Sequence, residues 1–112
     1  MEVLWALAAA APAAVLDANF WPGDERQVRR IQALSASPVE VFCQCPADLA
    51  ARRYAARGAT RHRVHAPHGT ELSAEAIARA GRPLALGPVI TVETAGPADI
   101  PALAAAVRTC LS

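Results

Sequence analysis

Three short apolar runs, at residues 13–16, 38–43 and 89–94, are set apart by segments whose apolar residues recur at helical spacing. Continuous apolar runs of four to six residues suit strands buried on both faces, as parallel sheets require. Between them, Val28, Ile31 and Leu34 share one helical face while Arg26, Arg29 and Arg30 lie on the other. Such alternation constrains the chain to an α/β architecture with a parallel sheet and crossover helices.

Punctuation along the chain sharpens this. Residues 3–10 read as a short helix that must stop before Pro12. Trp21-Pro22-Gly23-Asp24 is a turn cluster, and a second helix starts at Glu25 and closes by Ser35–Ser37. Pro46 opens a helix over 47–57 that Gly58 stops. Residues 59–69 are irregular and dense in Arg and His. Ser73 caps a helix over 74–80 that ends at Gly81. Asp99 caps the last helix, whose Ile100, Leu103, Val107 and Leu111 form one stripe. No internal repeat or linker is visible, so the 112 residues read as one domain.

Composition limits the chemistry. At 54% hydrophobic and 19% charged the chain is globular, with a core of small residues because aromatics supply only 4%. All eleven basic residues are Arg, a pattern that GC-rich coding also produces, and any mechanism needing a Lys is excluded within the chain. A net charge of +1 gives no global attraction to nucleic acid or anionic membranes. Cys43-x-Cys45 lacks the two-residue spacer of a metal knuckle or redox motif, and with Cys110 these residues read as small buried thiols in a reducing cytosol. The apolar stretch 4–14 is too short to span a membrane and follows Met1-Glu2 without a basic leader, so a cytoplasmic protein is expected.

Three places could carry chemistry. Asp17 follows a buried strand, where α/β sheets bind ligands, although from this residue alone an Asp capping a turn is the favoured reading. Arg53 and Arg57 project from one helical face, and Arg61 and Arg63 continue that charge into the loop. Arginine suits bidentate phosphate contacts and stacking on a flat base; a solvated basic face is the other reading, and the one that fits Arg52. Gly96-Pro97 after the last strand brings bare backbone near any ligand above the sheet, or is a plain turn.

The order of these elements, with "VLDANF", "CPADLAARRYAARGATRH" and "GPVITVET" in succession, resembles P-loop kinases of the polynucleotide kinase, chloramphenicol phosphotransferase and zeta-toxin group. Within that group it is most similar to bacterial ATP-binding proteins labelled AAA-family ATPases. The resemblance runs from about residue 3 to residue 111 and implies a three-layer parallel sheet, here incomplete, with about three strands and flanking helices. It implies ATP and Mg2+ as cofactors. Asp17 would be the catalytic carboxylate that holds magnesium, Arg53 would lie against the adenine, and Arg57 and Arg61 would be catalytic lid arginines. Gly96 and Pro97 would line the adenine pocket.

The chain departs from that group at its most diagnostic point. It has no Gly-Lys-Ser/Thr loop and no acidic second strand, so the phosphate cradle and general base are missing. The expectation is therefore a truncated, C-terminal portion of such an enzyme, inactive alone, whose gap in the sheet is filled by a complementing N-terminal half or by homo-oligomerisation. A non-enzymatic α/β interaction module derived from the same fold is the alternative. Nucleic acid is not an expected partner, because aromatic residues are not interleaved with the arginines.

Overall fold

The computed structural model describes residues 1–58 and 73–112. Among these residues the order is α1 (Glu2–Ala10), α2 (Glu25–Leu34), β1 (Glu40–Gln44), α3 (Ala47–Ala56), α4 (Ala74–Ala80), β2 (Val89–Glu93) and α5 (Ile100–Leu111). The chain is thus a mixed α/β protein built on one small parallel sheet, β1 beside β2. Glu40 pairs with Val89, Phe42 with Thr91 and Gln44 with Glu93. At the two ends, the Glu40 N–H donates to the Pro88 carbonyl at 2.9 Å and the Thr94 N–H donates to the Gln44 carbonyl at 2.7 Å. Since facing residues of parallel strands point to the same side, Val41, Cys43, Ile90 and Val92 share one face, and Phe42, Val89 and Thr91 the other.

The expected strand at 13–16 is not formed. A strand exists only by sharing its ladder, and among the described residues no neighbouring strand stands beside this run; Val15 is 96% exposed. The sheet therefore has two strands among the described residues instead of three. The expected burial of the thiols also fails: Cys43 and Cys110 are exposed and Cys45 is half-buried. Cys43 lies on a sheet face that is only partly covered, where neighbouring Val41 is 41% exposed.

The helices begin and end where local chemistry dictates. In the turn before α2 the Asp24 N–H donates to the Trp21 carbonyl at 3.1 Å, with Pro22 second and Gly23 third at φ +88°. That is a type II turn, whose third position requires a positive φ and so favours glycine. Asp24 then caps α2, its Oδ1 accepting from the N–H groups of Arg26 and Gln27. Gln27 reaches back, its Oε1 accepting from the Trp21 N–H and its Nε2 donating to the Asn19 carbonyl. Ser73 caps α4 through the Ala76 N–H, and Asp99 caps α5 through the Ala102 N–H, with Pro101 in the first turn.

Two side chains among the described residues are buried, Trp5 at 7% and Ile31 at 8% exposure. They join α1 to α2. Trp5 packs on Phe20 with ring centroids 6.1 Å apart, and the Arg30 guanidinium sits 5.9 Å above its ring. The same guanidinium donates to both carboxylate oxygens of Glu2 at 2.9 Å, closing the pair from outside. Farther on, α5 packs against β2, with Leu103 and Val107 half-buried but Ile100 and Leu111 exposed at its ends.

With so little buried, Trp5 is the residue the N-terminal pair can least spare. Trp5→Ala should cost about 3 kcal/mol or more, the usual loss for a buried aromatic. A fall in the thermal midpoint, with early loss of amide protection in α1 and α2, is the expected result.

Candidate functional site

Ligands of parallel α/β sheets bind beyond the carboxyl ends of the strands. Here β1 and β2 end side by side, and their ends are tied together. The Thr94 hydroxyl donates to the Gln44 carbonyl at 3.0 Å, adding to the backbone bond from the Thr94 N–H. One step on, the Glu93 carboxylate accepts from the Ala95 N–H at 3.0 Å and curls the chain into the 94–97 turn.

Arg53 reaches this turn from α3. Its Nη1 donates to the Thr94 carbonyl at 2.8 Å and its Nη2 to the Ala95 carbonyl at 3.1 Å. A guanidinium is a planar fork of donors, and here its two tips span successive peptide carbonyls beside Gly96 and Pro97. The two bonds hold the guanidinium plane in a set orientation. A Cβ added to Gly96 would meet nothing within 4 Å, so space remains open above the turn.

The other expected site residues are dispersed. Arg57 forms the C-cap of α3, one turn beyond Arg53, and its Nε donates to the Arg53 carbonyl at 3.4 Å. Asp17 lies in an exposed, irregular segment between α1 and α2, and no ion pair links it to the Arg53 turn. Arg61, with His62 and Arg63, lies outside the described residues. Arg52 pairs with Asp48 at 3.5 Å on an exposed face, the solvated role its spacing suggested. An open depression of about 370 Å3 is lined by Gly23, Glu25, Val28 and Arg29, none of them a candidate from the sequence. Among the described residues no group of three or more His, Cys, Asp or Glu converges as a metal site, and no helix is long and apolar enough to cross a membrane.

Glu40 was passed over as one residue of an apolar run. Its carboxylate accepts from the N–H groups of Leu84 and Ala85, both at 2.9 Å, and so anchors the loop entering β2. Ala85 there has φ +56°, a left-handed conformation that a non-glycine residue adopts only when its surroundings hold it. An acid at the start of an otherwise apolar strand was the available signal, since it must find donors. Gly87 completes the joint: an added Cβ would collide with the Pro38 carbonyl.

No family model, curated protein or solved structure matches this chain.

If the Arg53 fork holds the turn, Arg53→Lys should fail to restore it, because an ammonium cannot span two carbonyls in one plane. Both Arg53→Lys and Arg53→Ala should cost about 1 kcal/mol, a value reduced by solvent exposure. Amide exchange at Ala95 and Gly96 should quicken in both variants.

Proposed function

We propose that this chain is a P-loop-kinase-like ATP-binding module, incomplete as a phosphotransferase and without phosphoryl transfer of its own. The observation that carries the reading is the Arg53 fork, set against the turn containing Gly96 and Pro97 at the carboxyl ends of two adjacent parallel strands. Arg53 and the Gly96-Pro97 turn are the residues the family resemblance assigns to an adenine. With its N–H groups engaged by carbonyls, the guanidinium keeps its flat face for stacking on a base.

The phosphate side is much poorer. The chain has no Lys, and Asp17 is a lone carboxylate on an exposed segment without converging donors. Magnesium, a hard cation that takes several oxygen ligands, does not fit Asp17 in this arrangement. Phosphoryl transfer consists mainly of positioning and charge stabilisation around the phosphates, so losing the cradle removes most of the catalysis.

The second reading, an α/β interaction module without enzymatic activity, is favoured by the meagre burial: among the described residues, Trp5 and Ile31 alone are buried.

Calorimetric titration with ATP separates the two. Under the nucleotide reading, ATP binds with a Kd of about 1 mM or weaker and loses affinity steeply with salt, because exposed charges are screened beyond ~10 Å. Arg53→Ala abolishes the heat while the folded helix content is kept. No binding at low salt leaves the interaction reading. Micromolar binding indifferent to Arg53→Ala, or turnover near about 1 per second that vanishes in Asp17→Ala, would overturn the proposal.

A further inference from the structure

The ladder between β1 and β2 uses only one edge of β1. Because the Glu40 N–H and the Gln44 carbonyl both bond toward β2, residues 40, 42 and 44 spend their backbone groups inward. In a parallel ladder the intervening residues face the opposite way. Val41 and Cys43 therefore present two N–H and two C=O groups along the outer edge of β1, and no other strand lies there among the described residues. Val41 is 41% exposed and Cys43 is exposed.

We infer that this edge of β1 is a self-association surface, and that its occupant is β1 of a second copy of this chain, run antiparallel about a two-fold axis through Phe42. The inference stands on the backbone and the register and does not depend on the nucleotide reading.

The pairing is self-complementary. With Phe42 opposite Phe42 of the second copy, Val41 faces Cys43 and Cys43 faces Val41. All four outward backbone groups of each strand then bond, as hydrogen-bonded pairs of an antiparallel ladder require. The two Phe42 residues occupy a non-hydrogen-bonded pair, where side chains come closest and aromatic pairs contribute. Glu40 falls opposite Gln44, so no like charges meet, and Glu40 is already satisfied by Leu84 and Ala85. The product is a four-stranded sheet, β2-β1-β1-β2, whose partly covered face carries Val41, Cys43, Ile90 and Val92 from each copy. The outer edge of β2 is less suited: centring it on Thr91 sets apolar Val89 against charged Glu93.

Sedimentation of the full chain up to about 1 mM should show a species of twice 11.7 kDa that dissociates on dilution. Cys43→Pro removes an outward N–H without touching the β1·β2 ladder, as proline is tolerated on an edge whose donor faces solvent. It should give a monomer with unchanged far-ultraviolet dichroism. In the unsubstituted chain, amide exchange at Val41 and Cys43 should slow with concentration, while Glu40, Phe42 and Gln44 stay protected at every concentration. A chain that remains monomeric, a dimer that survives in Cys43→Pro, or concentration-dependent protection at Val89, Thr91 and Glu93 in place of Val41 and Cys43 would each overturn the inference.

Discussion

Everything in the C-terminal part hangs on a parallel ladder of only two five-residue strands. Parallel pairing is the weaker kind per residue, and a two-stranded sheet has no inner strand to stiffen it. The ladder is therefore clamped at both ends by side chains. At its start the Glu40 carboxylate collects the Leu84 and Ala85 amides, fixing the loop that delivers β2. At its finish Thr94 doubles the bond to Gln44, and Arg53 reaches across from α3 to the two carbonyls that follow. Each clamp joins residues about forty or more positions apart, so each closes a long loop that the ladder alone would have to close.

The N-terminal part is held by different means. Trp5 and Ile31 supply a small apolar contact between α1 and α2, while Arg30 both covers the Trp5 ring and pairs with Glu2. Arg30 thus combines a cation–π contact with an ion pair to a Glu2 side chain that is 78% exposed, so the ion pair adds little and weakens with salt. The two parts meet at α4, where Arg79 lies 5.1 Å over the ring of Trp21.

Helix positions and caps were readable from the sequence because they are set locally. Pro12, Pro46, Ser73, Gly81 and Asp99 act within one turn of the residues they control, and the boundaries of α4 coincide with those expected, while Asp24, read only as part of a turn, also caps α2. The strand at 13–16 was misread because an apolar run says nothing about whether a partner strand stands beside it. Burial of Cys43 failed for a related reason: strand alternation gives the face but not what covers it, while Cys110 lies in the exposed last turn of α5. In the candidate site, the pairing of Arg53 with the Gly96-Pro97 turn was implied by the family resemblance alone, and its particular bonds to Thr94 and Ala95 were not foreseen. The need of Glu40 for donors was legible, but its match to Leu84 and Ala85 was not, because they lie more than forty positions away in an irregular loop.

The two tryptophans sit in separate joints. Trp5 is enclosed between α1 and α2, whereas Trp21 lies at the turn before α2 and is touched by a cation from α4. Indole emission depends on the polarity and charge beside the ring, so the two residues report on different seams of the same molecule. Loosening of the crossover would alter the light from Trp21 and leave Trp5 unchanged, while parting of the first two helices would do the reverse. The chain carries its own pair of optical probes for the order in which it comes apart.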